Sequence, residues 1–146
     1  MQHIISKGHL ELKRKNACFK IGFGGIKGDL STIKSELPLL NTRETDKFIS
    51  FKFDKRKHSY LLGRVSAKHA ISALRNDEQL HDIFIGEGVF NFPVVKNLKG
   101  EHLLLSITHC DDIGITIAYP EEHPEGVDIE RVNEKNSDAL ESMINA

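Results

Sequence analysis

Two acidic residues near the end of the sequence, Asp128 and Glu130, have a spacing that suits metal chemistry. They alternate with Val127 and Ile129, and a period of two is typical of a strand with one buried face. Residues i and i+2 of a strand project to the same side, about 7 Å apart. Two such carboxylates can reach one divalent cation, which takes oxygen ligands at about 2.0–2.6 Å. The same pattern is typical of the solvated face of an ordinary strand, so the spacing alone does not distinguish a metal site from such a face.

Basic residues on a predicted long helix, residues 54–76, form the second chemical feature. The apolar residues of this helix recur at the i, i+3, i+4, i+7 spacing: Ala67, Ala70, Ile71 and Leu74. On another face Arg64 and Lys68 lie one turn apart, where like charges repel. An incoming phosphate would turn that repulsion into attraction. The two residues therefore indicate either an anion site or a solvated helix face.

Composition limits the classes of protein that this chain can represent. Its 146 residues suit one domain, and 39% hydrophobic and 28% charged residues are ordinary for a soluble protein. A net charge of −1 argues against a general nucleic-acid binder. Two cysteines are too few for a disulfide framework, and no signal peptide or membrane-spanning apolar run occurs. We therefore expect a cytoplasmic protein.

Charge is distributed unevenly along the chain. Residues 47–69 contain seven Lys or Arg and one acid, whereas residues 111–134 contain eight acids and one base. The two segments could pair with each other, or they could share a ligand that carries phosphates and a metal.

The first half of the chain predicts a hairpin followed by helices. Alternation at residues 10–13 and an apolar run at Cys18–Phe23 indicate two strands. Four glycines crowd the next residues: Gly22, Gly24, Gly25 and Gly28. No Gly-Lys-Ser/Thr follows them, so a phosphate-binding loop is not indicated, and we predict a flexible turn into a helix. A second short helix should begin at Thr42 or Thr45.

The second half predicts an antiparallel meander. Four short apolar runs indicate its strands: Asp82–Ile85, Pro93–Val95, Leu103–Thr108 and Ile113–Tyr119. Their spacing of about ten residues leaves no room for helical crossovers. The predicted fold class is therefore α+β, with the long helix packed on an antiparallel meander sheet.

Two further chemistries find little support. The eight histidines are scattered and form no H-x-x-x-H pair, and no C-x-x-C occurs, so a structural zinc site is not indicated. A Cys110–His109 nucleophile is also disfavoured, because adjacent strand residues point to opposite faces.

Three motifs, in order, resemble the 4′-phosphopantetheinyl transferase superfamily in its larger, surfactin-synthetase-activating class. They are Leu61–Arg64 with Ala67–Lys68, then Ser106–His109, then Gly126–Glu130, and the likeness runs over residues 47–132. Such enzymes move the phosphopantetheine arm of coenzyme A onto a serine of an acyl or peptidyl carrier protein and release 3′,5′-ADP. The resemblance implies coenzyme A and a carrier protein as partners and Mg²⁺ as cofactor. It also implies site residues by role: Asp128 and Glu130 for Mg²⁺, Thr108 and His109 for coenzyme A phosphate, and Arg64 and Lys68 for the nucleotide side.

The chain departs from the family pattern at Ser59, at Phe92, where a polar residue is common before the proline, and in its final part. Relatives often carry an arginine for the 3′-phosphate where this chain has Ser59, and Arg56, one turn earlier, is the candidate substitute. Family members are two similar halves, and the second half supplies a Trp-x-x-Lys-Glu motif that this sequence lacks. We therefore predict an N-terminal half-domain at residues 1–125 and a metal-motif strand with a truncated second half at residues 126–146. The general base would then lie outside this chain.

That departure leaves several functions open. The chain alone is expected not to transfer phosphopantetheine at a useful rate, unless two copies form a homodimer that replaces the missing half. A non-catalytic half-module that binds coenzyme A or a partner is the alternative. An unrelated Mg²⁺-dependent phosphoryl-transfer enzyme is the third hypothesis.

Overall fold

The computed structural model describes residues 3–14, 17–75, 79–87, 93–96 and 103–120. The predicted metal strand and the predicted boundary at residue 125 lie outside these residues. The helices and strands in chain order are β1 (Ile4–Arg14), β2 (Ala17–Lys27), α1 (Leu30–Ile33), a 3₁₀ helix (Lys34–Leu39), α2 (Thr42–Ser50), α3 (Asp54–Leu74), a 3₁₀ turn (Leu80–Asp82), β3 (Phe84–Glu87), β4 (Pro93–Lys96), β5 (Leu103–Cys110) and β6 (Ile113–Pro120).

The six described strands form one antiparallel sheet in the order β1-β2-β6-β5-β4-β3. The predicted N-terminal hairpin and the predicted meander are both confirmed. The sequence did not predict how they join: β2 pairs with β6, with Gly22 opposite Ala118 and Lys27 opposite Ile113. Because the long helix lies on this sheet, the predicted α+β fold is confirmed.

Helix α3 organises the core, and its 21 residues agree with the predicted helix. Its C-terminal half buries Ala67, Ala70 and Ile71 against the meander. Its N-terminal half buries Leu61 and Leu62 in a second cluster that includes residues of β2, α1 and α2. Burial of an aliphatic side chain stabilises a fold by about 1.5–3 kcal/mol, so these contacts fix the position of α3. None of the described helices combines the length and the apolar character that a membrane crossing requires.

The prediction of a glycine-rich turn before α1 was wrong for three of its four glycines. Gly22, Gly24 and Gly25 lie inside β2. A Cβ atom added at Gly22 would lie 2.5 Å from the Ala70 carbonyl oxygen, so the helix backbone occupies the space that a side chain would need. Gly22 and Gly24 are therefore explained by the close approach of α3 to the sheet rather than by flexibility.

Candidate functional site

A cleft of about 250 Å³ opens between the N-terminal half of α3 and the adjacent ends of β3, β4 and β5. The helix and the sheet both contribute to its walls: Arg56, Ser59, Tyr60, Gly63 and Arg64 from α3, and Glu87, Pro93, Ile107 and His109 from the strands. Two arginines and one histidine thus face one cavity. This composition is that of an anion-binding site.

Helical periodicity explains how α3 presents its part of the cleft. Arg56, Tyr60 and Arg64 are separated by four residues each, so they lie on one face of the helix. Gly63 lies on the same side, and a Cβ atom there would come within 3.2 Å of Ile107 Cγ2. The missing side chain therefore lets the helix approach β5 at the floor of the cleft.

The two arginines stack on aromatic rings at the cleft wall. The Arg64 Cζ lies 4.7 Å from the Tyr60 ring centroid, and the Arg56 Cζ lies 5.1 Å from that of Phe51. The two rings contact each other edge to face, with centroids 5.3 Å apart. Cation–π contacts of this kind contribute about 0.5–2 kcal/mol and restrict the side chains. The guanidinium groups are therefore held at the cleft before any ligand binds.

The charge of the arginines is not cancelled by the tyrosine between them. Burial raises the pKa of Tyr60, and the neighbouring Arg64 charge opposes that shift only in part. The phenol consequently stays neutral at neutral pH.

Strand β5 brings one of its two predicted phosphate ligands to the cleft. Ile107 and His109 both line it, as expected for residues two apart on a strand. Thr108 pairs with Ile115 in the sheet and, by the same alternation, projects to the opposite face. The structure therefore separates Thr108 from His109.

The predicted helical pair, Arg64 and Lys68, is also divided. Both side chains are buried, so neither belongs to a solvated helix face. Arg64 lines the cleft, whereas Lys68 is 0% exposed and points away from it toward Glu44. The Lys68 Nζ lies 3.0 Å from Glu44 Oε1 and donates to the carbonyl oxygens of Leu80 and Ile83. In this arrangement the ammonium has no surface on which a phosphate could bind.

One carboxylate remains in the cleft. Glu87, at the end of β3, forms an ion pair with Lys47 of α2, whose Nζ lies 3.3 Å from Glu87 Oε1. Both side chains are about 40% exposed, so this pair is screened by solvent and contributes little to stability.

No metal-binding group is present in the described part of the chain. Within those ranges no three His, Cys, Asp or Glu side chains lie close enough to hold one ion. Asp128 and Glu130, the predicted metal ligands, lie outside the described residues.

Glu44, the buried partner of Lys68, was not predicted from the sequence. Asn41-x-x-Glu44 is a capping-box pattern, and Glu44 Oε1 does accept from the Asn41 backbone N–H at 2.7 Å. That signal would have placed the start of α2. It would not have shown that the same carboxylate is buried against a lysine 24 residues later.

Comparison of the sequence with protein-family models and with curated proteins finds no match. Solved structures do match. A holo-(acyl-carrier-protein) synthase from Bacillus anthracis str. Ames, in complex with CoA (3′,5′-ADP), is 21% identical with a TM-score of 0.58, over 68% of this chain and 93% of that one. The holo-ACP-synthase of Plasmodium yoelii is 19% identical with a TM-score of 0.51, over 82% of this chain and 97% of that one. This chain therefore has the fold of the holo-acyl-carrier-protein synthases.

Proposed function

We propose that this chain acts in the transfer of 4′-phosphopantetheine from coenzyme A to a serine of an acyl or peptidyl carrier protein. The observation that carries the proposal is the cleft, in which Arg56, Arg64 and His109 converge. The fold supports it, since it is shared with a synthase in complex with CoA (3′,5′-ADP). The three ordered motifs of the sequence support it as well.

The charge and size of the cleft suit the nucleotide end of coenzyme A. That end carries a 3′-phosphate and a diphosphate, which need cations or hydrogen-bond donors. At about 250 Å³ the cleft is smaller than the 300–1,000 Å³ typical of sites for whole drug-sized ligands. We therefore assign it to a phosphate-bearing part of coenzyme A, with the pantetheine arm lying outside.

Each cleft residue then has a role that its chemistry allows. The guanidinium groups of Arg56 and Arg64 bind phosphate oxygens, and the stacking on Phe51 and Tyr60 holds them in place. His109 donates a hydrogen bond from its ring to a phosphate oxygen.

We retain Mg²⁺ as the proposed cofactor, with Asp128 and Glu130 as its ligands. The support is their spacing and their match to the family's metal motif. When bound, Mg²⁺ would supply charge neutralisation at the diphosphate. Asp128→Asn should weaken Mg²⁺ binding in titration calorimetry and leave the free energy of unfolding within about 0.5 kcal/mol of wild type. Loss of folding with unchanged metal affinity would assign the pair a structural role.

Two arrangements could complete the site. The order of motifs, with Gly126–Glu130 after the Ser-His strand, supports the larger class with this chain as its N-terminal half. The second arrangement is a site shared by two copies of this chain, since this chain spans 93% and 97% of the length of the two synthases without a further half. Mixing two inactive variants, one altered in the cleft and one in the metal motif, separates these arrangements, because only a shared site regains activity.

The test of the proposed function follows the mass of the carrier protein. The purified chain is incubated with coenzyme A, Mg²⁺ and a promiscuous apo carrier protein, and the carrier is examined by mass spectrometry. We expect binding of coenzyme A without steady turnover by the isolated chain, because a reacting diphosphate must be clamped from both sides. Turnover should appear when a protein supplying the Trp-x-x-Lys-Glu half is added.

The same assay tests the alternative, a half-module that binds coenzyme A or a partner without chemistry. This alternative predicts that the chain binds coenzyme A but that the carrier protein never gains mass, whether the chain is alone, in two copies or mixed with the second half. A mass gain by the isolated chain at steady turnover would contradict the predicted incompleteness and indicate a homodimer. Absence of coenzyme A binding would contradict both functions.

A further inference from the structure

A buried charge cluster lies directly behind the cleft and joins three elements. Its centre is Glu44 of α2, which is 0% exposed. The Glu44 carboxylate accepts from the backbone N–H of Asn41 at 2.7 Å and from that of Ile85 at 3.0 Å. It also accepts from Lys68 Nζ at 3.0 Å. Its acceptor positions are therefore largely occupied, and the carboxylate is fixed between α2, α3 and β3.

Arg64 lies near the second oxygen of the Glu44 carboxylate but forms no hydrogen bond with it. The Arg64 Nε lies 4.0 Å from Glu44 Oε2, beyond hydrogen-bond distance. Among the described residues this buried Nε–H has no acceptor. An orphaned guanidinium donor next to a buried carboxylate is unusual, since such groups ordinarily form a direct ion pair.

The charge balance of the cluster explains this geometry. Glu44 carries one negative charge, and Lys68 and Arg64 carry one positive charge each. Lys68 lies at bonding distance and neutralises Glu44, which leaves the Arg64 charge without a counter-charge inside this cluster. Burial lowers the pKa of Lys68, and the Glu44 charge is the main influence that opposes this. The remaining positive charge faces the cleft, where Arg64 is one of the lining residues.

We propose that the buried Glu44–Lys68 pair keeps Arg64 available to anions in the cleft, so that Lys68 is a positioning residue that does not touch the ligand. This inference rests on the proposed function in one respect, namely that the anion is a phosphate of coenzyme A. Without the Lys68 ammonium, Glu44 would keep its two backbone donors and lose its cation. Arg64 is the cation closest to replace it, and a bond to Glu44 would withdraw the guanidinium charge from the cleft.

A competing explanation is direct contact between Lys68 and the phosphate, as the sequence resemblance implies. A set of four proteins decides between them: wild type, Lys68→Met, Glu44→Gln and the double variant. The probe is 3′,5′-ADP, measured by titration calorimetry. We expect Lys68→Met to bind it at least about tenfold more weakly, because an ion-paired Arg64 no longer serves the cleft.

The 3′,5′-ADP affinity of the double variant, compared with that of Glu44→Gln, distinguishes the two explanations. With Glu44 neutral, Arg64 has no carboxylate to turn toward, so affinity should return to within about threefold of Glu44→Gln. Direct contact predicts instead that the double variant stays about tenfold or more weaker than Glu44→Gln, and that outcome would overturn the proposal. This comparison does not require Lys68→Met to fold. In Glu44→Gln the buried Lys68 ammonium loses its carboxylate but keeps the carbonyl oxygens of Leu80 and Ile83 as acceptors.

A second readout keeps the inference separate from the proposed function. The Arg64 Nε–H resonance in nuclear magnetic resonance spectra reports directly on its hydrogen bond. We expect it to shift downfield and to exchange more slowly with solvent in Lys68→Met alone, because only there does Arg64 bond Glu44. If the Arg64 resonance shifts in Lys68→Met but the wild type does not bind 3′,5′-ADP, the positioning role of Lys68 is supported and the proposed function is contradicted. An unchanged Arg64 signal in a folded Lys68→Met would contradict the positioning role.

Discussion

Helix α3 contributes to two clusters that share one arrangement of charge and differ in burial and bonding. Each places one glutamate between two basic side chains: Glu44 between Lys68 and Arg64, and Glu36 between His3 and His69. Lys68 and His69 are neighbours in sequence. Consecutive helical residues point in different directions, so one helix supports both clusters on different sides.

The clusters differ in burial and in how completely their groups are bonded. Glu44 is 0% exposed and accepts hydrogen bonds from three donors, whereas the Glu36 side chain is 18% exposed. Glu36 Oε1 lies 3.2 Å from His3 Nε2 but 4.0 Å from His69 Nε2. Neither ring nitrogen of His69 has a hydrogen-bond partner in the described part of the chain. The Glu44 cluster thus fixes a lysine and an arginine beside the cleft, whereas the Glu36 cluster consists of one carboxylate and two histidines.

The largest expected difference between the clusters is in stability. Lys68→Met leaves a fully buried carboxylate without its cation, which costs about 3–5 kcal/mol. Glu36→Gln removes a partly exposed partner of two histidines and should cost less than about 1 kcal/mol. Urea unfolding of both variants at neutral pH measures the two free energies. Equal losses would contradict the prediction that burial makes the Glu44 cluster the more sensitive of the two.

The response to pH should come from the histidine cluster. Burial lowers the pKa of His69 from its ordinary value of 6.5, and the charges of Lys7 and His3 act in the same direction, against Glu36. The folded state therefore binds the His69 proton less well than the unfolded state. The contribution of His69 to the free energy of unfolding is therefore fully present above the unfolded pKa of 6.5, and it is lost as the pH falls below that value.

This prediction is checked by urea unfolding near pH 8 and near pH 5.5, roughly either side of an ordinary histidine pKa. His69→Gln should lose less stability on acidification than wild type. His9→Gln is the matched control, because His9 is exposed on β1. The same pH dependence in all three proteins would remove His69 as its source.

The smallest effect is expected at Glu87, the exposed counterpart of the buried Glu44. Its ion pair with Lys47 is solvent-screened, so Glu87→Gln should change the free energy of unfolding by less than about 0.5 kcal/mol. Since Glu87 lines the cleft, loss of its charge should tighten 3′,5′-ADP binding about two- to fivefold, as for removal of a nearby like charge. Weaker binding would indicate that Glu87 itself contacts the ligand.

The long helix and the meander were predictable because their signals are local. Apolar spacing along α3 and short apolar runs at ten-residue intervals are properties of neighbouring residues. The role of Gly22 and Gly24 was not predictable in this way. Clustered glycines usually indicate a turn, and the reason for them here is a helix 40 or more residues later in the chain.

The candidate site was predictable in part for the same reason. The basic residues of α3 and the Ser-His strand could be identified, and Arg64 and His109 do meet at the cleft. Arg64 lines the cleft and Lys68 does not, because Lys68 pairs with Glu44 of another helix, α2. The local sequence around α3 does not show this contact. Strand alternation, already used against a Cys110–His109 pair, would also have separated Thr108 from His109.

The most direct measurement is the affinity of 3′,5′-ADP for wild type and for Arg64→Met by titration calorimetry. If the cleft binds the nucleotide end of coenzyme A, the wild-type chain binds, affinity falls with salt, and Arg64→Met weakens it about 10- to 150-fold, as for loss of a charge-assisted hydrogen bond. Lys52→Met, at an exposed lysine outside the cleft, should bind like wild type. Equal affinity of wild type and a folded Arg64→Met would contradict the assignment of the cleft.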